Sequence, residues 1–333
     1  MAGRAALRGG VSVRPRHGLW RAPDARWERR EDADMTGETI GIIGLGRMGS
    51  AMAKRLSGLG FRVSGWSRSG IRAEKAVSLG LTPMAEIGAL AAASDIIISS
   101  LIDDEAVDAV MRALGRLPLS GKLIVETSTI SPQTLRAHAA AISAAGAQLL
   151  DAPISGGPET LLEGRAGLYI GGSADDFERF RPIADHLSDR VHHIGPLGDG
   201  LSAKLVNNMM LIGLWQTMKE AITLGAKAGL PADRMIAVIA GSPAASPALK
   251  SRLPIITGES EAVGFPVSGA IKDARVVRDF ADRLGIAIPA TAASLASFER
   301  VAANGHADRD LATMVRVALV EAERDRADAA DTE

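Results

Sequence analysis

Lys204 and Asn208 lie four residues apart in a run that continues Leu205-Val206-Asn207-Asn208-Met209-Met210-Leu211-Ile212, where apolar side chains dominate. A polar side chain in such a run must find partners, because an unpaired buried polar group costs on the order of 1 to 3 kcal/mol. The spacing i, i+4, i+7 and i+11 puts Lys204, Asn208, Leu211 and Trp215 on one helix face, so the lysine and the asparagine point at the same place. Desolvation lowers a lysine's affinity for its proton, which suits it to protonate a developing alkoxide or, as the neutral amine, to take a proton from an alcohol. Lys204 is therefore read as a general acid/base and Asn208 as the residue that orients Lys204 or the substrate oxygen. Taken alone, a lysine here could as well snorkel to solvent.

A second group of residues is suited to a phosphate-bearing ligand. Gly44-Leu45-Gly46-Arg47-Met48-Gly49 follows an apolar strand pattern and opens a helical one, the context that gives G-x-G-x-x-G its meaning. Gly44 permits the tight turn, Gly46 lets backbone approach a pyrophosphate, Gly49 lets helix and strand pack closely, and the helix N-terminus offers free N–H groups. At the end of the second strand, where an acidic residue would meet a ribose 2′-hydroxyl, stand Ser67, Arg68 and Ser69. A cation flanked by two hydroxyls favours a 2′-phosphate, so NADP is expected, with NAD also accepted. Asp151-Ala152-Pro153-Ile154-Ser155-Gly156-Gly157 leaves a strand and turns small and polar. Its backbone N–H groups and the Ser155 hydroxyl can converge on an anion such as a carboxylate, although such a segment could also be merely a turn. His192 and His193 have no third ligand suitably spaced, so packing is expected there and no metal.

The elements that must position these groups follow from periodicity. Short apolar runs at Thr39–Ile43, Arg62–Trp66, Asp95–Leu101, Lys122–Glu126, Gln148–Ala152, Leu168–Gly171 and Val191–Ile194 read as strands. Helical patterns such as Met48–Leu59, Asp104–Leu114 and Ser131–Ala145 alternate with them, the signature of a parallel sheet covered by helices. After Gly195 only helical patterns follow: Gly200–Gly229, Asp233–Ala240, Ile271–Leu284, Thr291–Ala303 and Leu311–Ala322. The fold class expected is an α/β N-terminal Rossmann domain over 36–195, joined by a long helix to an all-α C-terminal domain over 196–322. A charged, frayed tail is expected from Glu321 to the end, bounded as 323–333.

Composition narrows the partners. The 333 residues are 47% hydrophobic and 23% charged with net charge −1, the balance of a globular chain without a field for nucleic acid or an anionic membrane. No apolar run reaches the roughly 18 to 20 residues of a membrane-spanning helix. The chain has no cysteine, which excludes disulfides and thiolate sites and fits a reducing cytoplasm. The first 34 residues, rich in Arg, Gly and Pro, are expected to be disordered, with Met35 read as the natural start. A transit peptide or a basic arm is a weaker reading there, given Asp24, Glu28, Glu31, Asp32 and Asp34.

Together Gly44–Gly49, Glu126-Thr127-Ser128-Thr129-Ile130-Ser131-Pro132, Asp151–Gly157, Gly198–Asn208 and Lys272-Asp273 resemble, in order and spacing, the β-hydroxyacid dehydrogenase family. The resemblance spans Thr39 to Val320. It implies that Lys204 is the catalytic lysine with Asn208 beside it, that Ser155, Gly156 and Gly157 hold a small substrate's carboxylate, and that Lys272 closes the cleft. It further implies that Leu101 and Thr129 belong to the cofactor site, with Ser128 or Thr129 near the nicotinamide, and that the protein forms a homodimer or homotetramer through its helical domain. Two departures bear on substrate: Pro158-Glu159-Thr160-Leu161 follows the Ser-Gly-Gly turn where small residues are usual, with Glu159 expected to face water, and Leu101-Ile102 replaces a leucine-proline pair. Trp215 either narrows the pocket or packs in the core. Rival readings are an imine reductase, which would replace the lysine, and a non-catalytic NADP-binding sensor or scaffold, which would lose the lysine or asparagine.

Overall fold

The computed structural model describes residues 37–330; the Arg-rich segment and Met35 lie outside them. Among the described residues nine strands form one sheet: β1 (Ile40–Ile43), β2 (Val63–Trp66), β3 (Thr82–Pro83), β4 (Ile96–Ser99), β5 (Leu123–Glu126), β6 (Gln148–Asp151), β7 (Ile154–Ser155), β8 (Ala166–Gly171) and β9 (Ser188–Gly195). Their order is β3-β2-β1-β4-β5-β6-β8-β7, with β9 alongside β8. The first six strands are parallel, whereas β8 runs antiparallel to β6 and β7. β1, β4 and β5 are buried along their whole length, which explains why they read as continuous apolar runs. The order 3-2-1-4-5-6 reverses direction between β1 and β4, the switch point at which sheets of this topology offer a crevice at the strands' C-terminal ends. In-register pairing sets Trp66, Ile43, Ser99, Glu126 and Asp151 in one row along that edge.

Apolar layers cover both faces of the sheet. Ile42, Ile98, Val125 and Phe180 belong to one, and Ile43, Ile97, Ile124 and Met111 to the other. The second layer also includes Leu201, so the first turn of the long helix Asp199–Lys227 is docked into it. Further along, Ile212, Trp215, Met218 and Ile222 of that helix join a separate core with Val267, Phe298 and Val315. The helices Val267–Arg283, Pro289–Val301 and Thr313–Ala330 enclose this core.

Asp151 at the end of β6 sets where the long helix begins. Its carboxylate accepts hydrogen bonds from Gly198 N and Leu201 N, both at 2.6 Å, and so satisfies N–H groups that a helix start leaves unpaired. Gly200 is required at this junction, because a Cβ there would collide with the Tyr169 carbonyl and stand 2.8 Å from Asp151 Oδ2.

Three features depart from the periodicity. The segment Ser131–Ala145 forms two helices, Pro132–Arg136 and Ala139–Ala144, instead of one. The break lies where Arg136 reaches the Leu197 carbonyl and Asp199 and where His138 reaches Asp108, long-range bonds that a local pattern does not report. The two-residue strands β3 and β7 carry no period long enough to read. The segment from Glu321, expected to fray, stays helical through Ala330, held to the long helix by the ion pair Lys227–Asp325 at 2.8 Å.

Candidate active site

Glycines shape the crevice between β1 and β4. Gly44 has φ +89°, which side chains other than glycine rarely adopt, and a Cβ there would collide with the Ser100 carbonyl. A Cβ on Gly49 would strike the Gly44 carbonyl, so the helix Arg47–Gly58 sits against the turn only because Gly49 has none. Nothing lies within 4 Å of a Cβ on Gly46, which leaves the start of that helix open on the crevice side. Gly44 N donates to the Trp66 carbonyl at 2.9 Å, which brings the glycine turn beside the end of β2, where Ser67, Arg68 and Ser69 follow. Ser67 Oγ and Ser69 Oγ are 3.3 Å apart, and Arg68 is exposed. Lys75, which sequence reasoning did not single out, holds the Leu45 carbonyl at 2.6 Å and adds a second cation to this end of the crevice. A turn open to a pyrophosphate, with cations and hydroxyls at the adjoining strand end, fits an adenine dinucleotide carrying a 2′-phosphate.

Leu101 packs against the glycine turn, with its Cδ2 2.8 Å from a Cβ on Gly44, and Leu101 N donates to Ser128 Oγ at 2.7 Å. Ser128 N in turn donates to Glu126 Oε1 at 2.7 Å, and Ser99 Oγ donates to Glu126 Oε2. Burial pushes the Glu126 carboxyl up to about 7, against the hydrogen bonds from Ser128 and Ser99 that oppose the shift. Of the two hydroxyl residues expected near a nicotinamide, Ser128 is thus engaged in holding Leu101, and Thr129 offers its backbone carbonyl to Lys272.

The long helix brings a polar cluster to this place. Lys204 and Asn208 are 8% and 5% exposed. Asn208 Nδ2 donates to Asp273 Oδ2 at 2.7 Å, and Lys272 Nζ lies 2.6 Å from Asp273 Oδ1. Lys272 Nζ also donates to the Thr129 carbonyl at 2.7 Å, so the helix Val267–Arg283 is tied to the segment after β5. Arg283 repeats the tie at Ser131 Oγ, 2.8 Å away. Among the described residues the Lys204 amine makes no hydrogen bond. Burial pushes its ammonium down to about 8; the Asp273 carboxylate opposes the shift and the Lys272 charge adds to it. Asp273 is the group that sequence reasoning passed over. The pair Lys272-Asp273 was visible, but no local signal shows that the carboxylate meets Asn208 across 65 residues of chain.

Ser155–Gly157 is reached from the helices by another segment. The Gly264 carbonyl stands 3.5 Å from a Cβ on Gly157, and Arg47 Nη2 of the glycine turn donates to the Val263 carbonyl. The stretch 263–265 therefore lies over both the dinucleotide turn and the small polar turn. Gly156, with φ +135°, has no room for a side chain against Thr160. Glu159 is exposed to water, and Ile102 is 73% exposed. Trp215 packs in the helical core with the Arg252 guanidinium 5.8 Å above its ring. His192 stacks on Tyr169 and His193 on Phe177, and no metal-holding cluster occurs among the described residues. No helix among them is long and apolar enough to cross a membrane.

Comparison with known proteins covers both halves of the chain. Residues 39–195 match the NAD binding domain of 6-phosphogluconate dehydrogenase, and residues 198–318 match the NAD-binding domain of NADP-dependent 3-hydroxyisobutyrate dehydrogenase. The chain is 30% identical to the 2-(hydroxymethyl)glutarate dehydrogenase of Eubacterium barkeri over 84% of its length and 94% of the relative's. It is also 30% identical to the 2-hydroxy-3-oxopropionate reductase of Escherichia coli, over 83% of this chain and 96% of that one. Among solved structures, Mycobacterium tuberculosis 3-hydroxyisobutyrate dehydrogenase with L-serine superposes with a TM-score of 0.77 at 27% identity, covering 84% of this chain and 98% of the other.

Proposed function

The chain belongs to the β-hydroxyacid dehydrogenase family, and on that premise we propose that it interconverts a small hydroxy acid and its semialdehyde with NADP, accepting NAD less well. The observation that carries this reading is the buried cluster Lys204, Asn208 and Asp273 on the long helix and its neighbour, with the part-buried Lys272 paired to Asp273. In reduction the Lys204 ammonium gives its proton to the substrate oxygen as that oxygen gains negative charge. In oxidation the neutral amine takes the hydroxyl proton. A bound nicotinamide supplies or accepts the hydride at the adjoining carbon. Asn208, fixed by Asp273, orients the substrate oxygen toward Lys204, and Ser155, Gly156 and Gly157 bind the carboxylate. Lys272 holds the helices against Thr129 and so keeps water from the reacting atoms. The NADP preference is supported by Arg68 with its flanking serines and by the absence of a carboxylate there. A cytoplasmic setting, supported by the cysteine-free sequence, and self-association through the helices belong to the same proposal.

The test is oxidation of NADPH and NADH by the purified protein against succinic, tartronic and methylmalonic semialdehydes and glyoxylate. Turnover with NADPH preferred is expected. Lys204→Ala is expected to fold and bind NADPH while losing turnover by about 10²- to 10⁴-fold. A near-normal rate in that variant would remove Lys204 from the mechanism. Binding of NADPH without turnover of any aldehyde would favour the sensor reading.

A further inference from the structure

Arg252 lies between the short helices Pro247–Lys250 and Leu253–Ile256, its side chain 21% exposed and its guanidinium over the Trp215 ring. Its Nε donates to Asp310 Oδ1 at 3.1 Å. Asp310, 1% exposed, also accepts from Gly264 N and Phe265 N at 2.9 Å and from Ala312 N at 3.0 Å. That carboxylate is thus an anchor that holds the arginine and the stretch 264–265 in fixed relation. The Nη1 and Nη2 amino groups of Arg252 donate to no described residue. A planar fork pinned by a buried carboxylate, set within cation–π range of an aromatic ring and left with free donors is organised in advance for an incoming carboxylate.

Its position connects it to the site. A Cβ on Gly264 would lie 2.9 Å from Arg252 Nη2, and the Gly264 carbonyl lies 3.5 Å from a Cβ on Gly157. Arg252 and the turn Ser155–Gly157 therefore stand on two sides of a single glycine. Trp215, beneath the guanidinium, lies on the helix face of Lys204 and Asn208, about three and two turns further along. The geometry points to Arg252 as a specificity-determining residue that binds a second carboxylate, so that the preferred substrate is a hydroxy diacid or its semialdehyde. The Ser155–Gly157 turn holds the carboxylate next to the reacting carbon, and Arg252 holds the one at the end of the side arm. This deepens the dehydrogenase reading and rests on that turn as the first carboxylate site.

The experiment separates the two. Calorimetric titration of the NADP⁺-loaded protein with glutarate and with pentanoate, which replaces one carboxylate by a methyl group, reads the second site without turnover. Glutarate is expected to bind about tenfold more tightly in the wild type at low salt, with the ratio falling to about one in Arg252→Met and partly kept in Arg252→Lys. Equal affinities in the wild type, or a preference that survives Arg252→Met, overturn the assignment. If Arg252→Met does not fold, an Arg252→Lys variant that keeps the whole preference for glutarate also overturns the role of the fork. Oxidation of 2-(hydroxymethyl)glutarate and of 3-hydroxyisobutyrate is followed in parallel. An Arg252-dependent preference for glutarate with neither alcohol oxidised leaves the diacid site standing and removes the dehydrogenase reading. Equal KM values for the two alcohols overturn the role of Arg252 while supporting that reading.

Discussion

At the scale of single residues, burial and charge act against each other at Lys204. Removing the ammonium from water disfavours its charged form, the Asp273 carboxylate restores part of the loss, and the result is a group that titrates at about 8. The sign of the pH dependence follows. With Lys204 as the proposed general acid, reduction needs the protonated amine, so kcat/KM for aldehyde reduction should fall as pH rises through about 8; oxidation would need the neutral amine and should rise over the same range. Steady-state rates in both directions from pH 6.5 to 9.5 check this, and profiles flat between 7 and 9.5 would remove Lys204 as the titrating group. The residue types at this site were readable in the sequence because a lysine and an asparagine are conspicuous in an apolar run. Asp273 was not readable as their partner, because charged residues on an amphipathic helix most often face water.

At the scale of elements, the long helix must begin at one definite residue for Lys204 to face the strands. Asp151 supplies that definition through its two bonds to Gly198 N and Leu201 N. Asp151→Asn places an amide NH₂ against one of these N–H groups and should cost on the order of 3 kcal/mol, with lowered turnover because Lys204 shifts with its helix. Urea denaturation at pH 8 checks the prediction, and a loss below about 0.5 kcal/mol would show that the helix start is set elsewhere. Burial raises the Asp151 carboxyl to about 6 from 3.8, so the folded protein holds a proton there that the unfolded chain releases. The titration of this group therefore adds a stability that is fully present below about pH 4 and lost as pH rises through about 6, separate from the hydrogen bonds compared at pH 8, and the asparagine variant should lack that slope. Element types were legible from periodicity, whereas the break at Ala137–His138 and the helical end at Ala330 depend on bonds to distant segments.

At the scale of the whole molecule, the long helix serves two cores and still leaves an apolar face uncovered. Val206, Met210 and Leu224 are 66%, 74% and 74% exposed, and their spacing sets them on one side of that helix. Apolar side chains aligned in this way support self-association. Under the proposed self-association, Met210→Glu combined with Leu224→Glu should lower the sedimentation coefficient to that of a monomer, and an unchanged coefficient would remove this face as the contact between copies.

The sequence by itself determined the dinucleotide turn, the succession of strands and helices, and the lysine-asparagine pair, because each depends on residues close together along the chain. Only the tertiary structure decided that Asp273 meets Asn208, that Lys272 meets Thr129, that Asp151 starts the long helix and that Arg252 lies beside Gly264. Those contacts join segments separated along the chain by more than any local period, and their partners are selected by how the elements pack together.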